Sequence, residues 1–164
     1  MKNKNIYIIA STFYSELSDE LIEGAKTELL SQDKFDSNET KLKIIKVPGA
    51  FEIPGITKRI LTQTITGKEN YILDTVGFSK PDLIITLGVL IKGETNHFEY
   101  ISESVSHSIS QLTISSDIPI IFGVITALNY EQASERALIS KKNKGAEVMR
   151  TGLEMLKLYD KYKK

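Results

Sequence analysis

The chain has no cysteine and no tryptophan, and only two histidines among 164 residues. Without cysteine there are no disulfides, no thiol nucleophile and no thiolate metal site. Two histidines ten positions apart, His97 and His107, do not make a metal site of their own. An excess of charge of one sign is missing as well: Lys+Arg and Asp+Glu both number 21. No net field therefore draws the chain to nucleic acid or to an anionic membrane. Apolar runs are short, and none approaches the ~18 residues that a membrane span needs. The first five residues lead straight into an apolar strand rather than a signal sequence, so a cytoplasmic location is expected.

What is present is ordinary for a globular domain, with 41% hydrophobic and 26% charged residues. The length suits one domain with a real core. Residues 6–10 and 82–87 are apolar runs without helical period, as strands covered on both faces should be. Residues 42–47 and 119–125 read as two further strands. Between them Leu17, Leu21, Ala25 and Leu29 recur at helical spacing, as do Ile101, Val105, Ile109 and Leu112. Ala133 and Ala137 follow a capping Asn129. Ala146, Met149, Leu153 and Leu156 mark a last helix, entered from a basic loop at 141–145.

Pro48-Gly49 ends the second strand, Ala50-Phe51-Glu52 is expected to stay extended, and Pro54 opens a helix reaching about Leu61. Residues 62–81 hold no period and read as an extended or partly helical insertion. Strands alternating with helices imply crossovers and a four-stranded parallel sheet with helices on both faces. No internal repeat or linker divides the chain.

The stretch GVLIKGETNHFEY, residues 88–100, concentrates the chemistry. It carries the chain from a strand's carboxyl end through a Gly93-Glu94-Thr95 turn into a helix. Asn96 and Glu99, three apart, fit a cap and its reciprocal partner. Free N–H groups and the helix dipole favour an anion at such a place. His97 stands in the first helical turn. It reads either as a surface or capping histidine or as a proton-transfer group beside the anion. His107, mid-helix, reads as solvent-facing.

In a parallel sheet, ligands bind beyond the carboxyl ends of the strands. Phe13, Ala50-Phe51-Glu52 and residues 93–97 should converge there, with the turn after the fourth strand pointing the same way. Phe13 and Phe122 read as core or as aromatics that stack on a planar ring. Glu52 is either a plain exposed residue or an acceptor for sugar hydroxyls. Arg136 and Lys144 read as a solvated basic face unless a phosphate gives the arginine a bidentate partner. No Walker loop and no GxGxxG after a strand is present, so a nucleotide cofactor has no support.

These segments together resemble the lumazine synthase family. The matching stretches are VPGAFEIP from Val47, GVLIKGETNHFEY from Gly88, PIIFGVITALNYEQASERA from Pro119 and NKGAE from Asn143. The resemblance implies a flavodoxin-like three-layer α/β sandwich. It implies condensation of 5-amino-6-(D-ribitylamino)uracil with 3,4-dihydroxy-2-butanone 4-phosphate, giving 6,7-dimethyl-8-ribityllumazine and phosphate in riboflavin biosynthesis, with no metal or organic cofactor. By the same resemblance Phe13 stacks on the pyrimidine, and Ala50, Phe51 and Glu52 hold the ribityl chain. Leu90 and Ile91 form the strand end beside the ring, Glu94 and Thr95 bind phosphate, and His97 is the general acid/base. Phe122, Arg136 and Lys144 would come from a neighbouring subunit of a five-fold ring, so the expected partner is a further copy of the chain. Tyr14, Leu138 and Lys142 depart from the family's usual asparagine and glycines. The alternatives weighed are a riboflavin synthase of the archaeal type and a non-catalytic binding protein on the same fold.

Overall fold

The computed structural model describes residues 4–32, 40–66 and 80–162. Most of the insertion read at 62–81, and residues 33–39 of the loop read between the first helix and the second strand, lie outside them. The elements follow in the order β1 (Asn5–Ser11), α1 (Ser15–Leu30), β2 (Lys41–Val47), a 3₁₀ turn (Ala50–Glu52), α2 (Ile53–Thr66), β3 (Leu83–Ile91), α3 (His97–Ile114), β4 (Ile120–Ala127), α4 (Tyr130–Ala137) and α5 (Lys144–Lys161). The four strands form one parallel sheet in the order β2-β1-β3-β4.

Alternation along the strands divides the core in two. Ile6, Ile8 and Ala10 of β1 and Leu83, Ile85, Leu87 and Val89 of β3 face α1, α4 and α5. Tyr7 and Ile9 of β1 and Ile84 of β3 face α2 and α3. The sheet therefore lies between two helical layers, which is the three-layer sandwich expected. The chain winds from β1 outward to β2, then reverses across β1 to β3 and on to β4. Crossovers keep one hand, so the reversal places α1 on the opposite face from α2 and α3. The reversal also opens a crevice between the carboxyl ends of β1 and β3.

Several boundaries differ from those read in the sequence. Ala50–Glu52 is a 3₁₀ turn, not an extended segment. Ala50 and Ile53 are both buried, and drawing them under the sheet edge tightens the backbone so that Ile53 N–H bonds the Ala50 carbonyl. Helix α2 continues to Thr66 rather than stopping near Leu61. Strand β3 runs on through Gly88 to Ile91, and β4 reaches Ala127. Lys144 and Gly145, read as loop, open α5.

The two asparagine caps diverge. Asn129 is extended (φ −153°, ψ 171°), and its side chain accepts the Gln132 N–H at 2.9 Å. Asn96 has near-helical angles (φ −70°, ψ 5°) and caps nothing with its side chain. A capping residue usually has non-helical backbone, which turns its side-chain oxygen toward the following N–H groups; the near-helical Asn96 does not.

Candidate functional site

Three loops meet at the crevice. The loops after β1 and β2 are tied together, because Thr12 donates both its backbone N–H (2.8 Å) and its hydroxyl (3.2 Å) to the Val47 carbonyl. The loop after β3 is anchored on the other side, where Lys92 N–H donates to the Ala127 carbonyl at 2.9 Å. Strand order thus brings Phe13, Ala50–Glu52 and residues 90–97 to adjacent places on one edge.

Within this group the buried members form the floor. Ala50 is buried, Leu90 and Ile91 are half-buried, and Gly88 lies beneath them, its missing side chain leaving room for Ser11 Oγ and the Ile53 side chain. Phe13, Phe51, Glu52, Glu94, Thr95 and His97 are exposed around it. Phe13, 74% accessible, gains little from folding within one protomer. The Glu52 carboxylate folds back over Gly49, where an added Cβ would lie 2.8 Å from Oε2. Tyr14 turns away from the crevice to pack on the α1-side core, its ring edge-on to Phe13 with centroids 5.1 Å apart.

The turn before α3 is built to receive an acceptor. Among the described residues, the N–H groups of Gly93, Glu94, Thr95 and Asn96 have no hydrogen-bond partner. His97 N–H makes only a long contact, 3.4 Å, to the Thr95 hydroxyl. These donors lie at the positive end of an 18-residue helix. Glu99, expected as a reciprocal capping partner, instead pairs with Lys92 at 2.6 Å. Sequence spacing missed that pair; the signal for it was the lysine at the strand end, seven residues upstream.

Three of the expected site residues lie elsewhere in the protomer. Phe122 is five residues before the end of β4, roughly 16 Å from the carboxyl edge at the usual rise per residue. It is 41% exposed on the α3 side of an edge strand. Arg136 and Lys144 belong to the other helical layer. Tyr130 OH bonds Glu16 at 3.3 Å and Ile139 N–H bonds Glu20 at 2.9 Å, so α4 tracks along α1 away from the crevice. Lys144 pairs with Glu147 at 2.6 Å, whereas Arg136 is exposed and has no partner among the described residues.

The loop joining them is closed by local bonds. Leu138 N–H bonds the Ser134 carbonyl, Lys142 N–H the Glu135 carbonyl and Asn143 N–H the Leu138 carbonyl. Leu138 and Lys142, which stand where the family commonly has glycine, keep negative φ; Asn143 alone takes the left-handed conformation (φ 45°). Asparagine tolerates that region better than most residues, and its side chain caps α5 through Ala146 N–H.

A four-stranded parallel sheet in the order β2-β1-β3-β4 between two helical layers defines a flavodoxin-like α/β sandwich. The chain belongs to the 6,7-dimethyl-8-ribityllumazine synthase family, whose sequence model matches residues 3–160. A protein of that name from Leuconostoc mesenteroides subsp. mesenteroides is 38% identical over 161 residues, covering 98% of this chain and 92% of the relative. Another of that name, from Chlamydia trachomatis serovar L2, is 37% identical over 158 residues, covering 96% and 90%.

Proposed function

We infer that this protein condenses 5-amino-6-(D-ribitylamino)uracil with 3,4-dihydroxy-2-butanone 4-phosphate, forming 6,7-dimethyl-8-ribityllumazine and inorganic phosphate. The family membership supports the reaction. One structural observation carries the assignment of its site: acceptor-free N–H groups at 93–96 adjoin His97 and share an edge with Phe13 and Glu52.

The chemistry needs little beyond what this edge offers. The substrate's own amine attacks the ketone, water leaves, phosphate is eliminated, and the second carbonyl closes the ring with loss of another water. Each step moves a proton, which suits His97, and none requires an enzyme nucleophile. In our reading Phe13 stacks on the pyrimidine, while Ala50, Phe51 and Glu52 hold the ribityl chain through backbone and carboxylate acceptors. Leu90 and Ile91 pack beside the ring, and Glu94 and Thr95 present the backbone that receives phosphate.

We assign Phe122, Arg136 and Lys144 to the site of an adjoining protomer in a ring of five. Their distance from the crevice of their own chain supports this, as does the exposure of Phe122 and Arg136. A cytoplasmic location accompanies the reading; cell fractionation followed by the same assay tests it.

Mixing both substrates with purified protein should give lumazine absorbance and phosphate release in equal amounts, whereas lumazine alone should be left unchanged. Conversion of lumazine alone would identify a riboflavin synthase instead, and tight binding without turnover a ligand-binding protein. For the shared site, oligomers assembled from mixed His97→Ala and Arg136→Ala chains should recover more activity than either variant shows alone. Absence of recovery in mixed rings would place both residues in one chain.

A further inference from the structure

The pair joining Lys92 to Glu99 spans the anion turn, and neither residue has a role in the reading above. Lys92 is the first residue after β3, its backbone fixed to the end of β4. Glu99 is the third residue of α3. Their side chains meet at 2.6 Å with residues 93–96 between them, and each is about half exposed, at 47% and 45%. A pair that open to solvent contributes little to stability, so its consequence is to be sought in charge.

Glu99 stands on the first turn of α3, next to the N–H groups of residues 93–96. The first turn of α3 attracts anions through its free N–H groups and its dipole, and a carboxylate on that turn is itself such an anion. Left uncompensated, it would repel a phosphate held by residues 93–96. Lys92 cancels that charge through a short ammonium–carboxylate bond. Consistently, the Glu99 carboxyl is held below the usual carboxylate range, first by its bond from Lys92 and then by its own backbone N–H.

We propose that Lys92 is a positioning residue for phosphate binding, acting through Glu99: it neutralises and restrains the carboxylate on the first turn of α3, which would otherwise compete with the substrate phosphate for the helix amino terminus. The proposal rests on the reading of residues 93–96 as the phosphate turn.

A double-mutant cycle on the assembled enzyme tests it, using Lys92→Met, Glu99→Gln and both together. One unit charge at this range in a half-solvated crevice is worth about tenfold in affinity. Lys92→Met should raise KM for the butanone phosphate, and the inhibition constant of inorganic phosphate, by about tenfold. KM for the ribitylaminouracil and kcat should move little. Adding Glu99→Gln to Lys92→Met should return both phosphate constants close to those of the parent.

Failure of the double variant to recover would overturn the proposal and show Lys92 gripping the phosphate directly. No change in Lys92→Met would overturn it as well. The underlying reading fails separately: if inorganic phosphate does not compete with the butanone phosphate on the parent enzyme, residues 93–96 do not hold phosphate. Circular dichroism and native mass confirm that each variant is folded and assembled.

Discussion

Gly145 is where the α1-side layer is most tightly closed, and Gly145→Ala is the sharpest test of that layer. A Cβ built there meets the Leu21 carbonyl oxygen head-on, and lies 2.9 Å from the Leu21 carbonyl carbon and 3.0 Å from Ala25 N. All three are backbone atoms of α1, so no rotamer change relieves them and the helices must separate. Overpacking of this kind costs about 1–3 kcal/mol, and the rigid backbone puts Gly145 at the upper end. Alanine's better helix propensity returns up to about 1 kcal/mol. The net loss is about 2 kcal/mol, or about 4–8 °C in Tm for a chain of this size. Urea and thermal unfolding at one fixed protomer concentration measure it. Gly55→Ala is the control, because a Cβ there meets nothing within 4 Å and the helix should hold or gain up to about 1 kcal/mol. Equal midpoints for Gly145→Ala and the parent would refute the close contact between α1 and α5. If the loss appears, activity should fall too, because the same contact seats Lys144.

Four further outcomes follow from named contacts. His97→Ala should lower kcat by about 10²–10⁴-fold without abolishing turnover, because orientation of the two substrates saves about 7–11 kcal/mol independently of it; complete loss in an assembled variant reverses that ranking. Arg136→Ala should leave unfolding unchanged, since the side chain has no partner among the described residues, yet raise KM for the phosphate substrate about 10–100-fold through loss of a charge-assisted bond. Asn129→Ala removes the α4 cap and should cost about 1 kcal/mol in chemical denaturation. The Glu99 carboxyl should titrate below an ordinary glutamate by NMR and return toward the ordinary value in Lys92→Met. Its folded-state value is depressed, so the attraction is present at neutral pH and fades as pH falls through that value.

The central strands β1 and β3 were legible because they are buried on both faces. Residues 8–10 and 83–87 carry no polar interruption except Thr86, whose hydroxyl is satisfied by the Ile121 carbonyl at 2.9 Å. The helices were legible where a period met a core, as at Leu17, Leu21, Ala25 and Leu29, all buried. Errors fell where local pattern and tertiary demand disagree. Nothing in the letters Ala-Phe-Glu says that Ala50 must pass under the sheet, and that burial winds the segment into a 3₁₀ turn. Asn96 and Glu99 have the right spacing for a reciprocal cap, but spacing is blind to φ and ψ and to a lysine approaching from the strand. The crevice residues were readable as a set because strand ends are ordered by the topology, whereas Phe122 and Arg136 point to no site within one chain.

Charge explains why a crevice so well supplied with donors should still need a neighbour. On its own edge a protomer gathers Glu52, Glu94 and Glu99, and the ammonium nearest the turn, Lys92, is already committed to Glu99. Neutral N–H groups can orient a phosphate there, but the nearby formal charge is negative, and phosphate brings more of the same sign. Of the cationic residues expected at the site, Lys144 is committed to Glu147, while Arg136 is exposed and has no partner among the described residues. A guanidinium left unpaired on one side of the molecule and an anion turn short of positive charge on another are complementary deficits. Bringing two copies together so that Arg136 of one reaches the turn of the next removes both at once. It also covers Phe122 and Phe13, whose rings folding alone leaves in water. On the proposed assembly a neighbour would complete the site electrostatically, supplying the positive charge that the crevice of one protomer lacks for a phosphate.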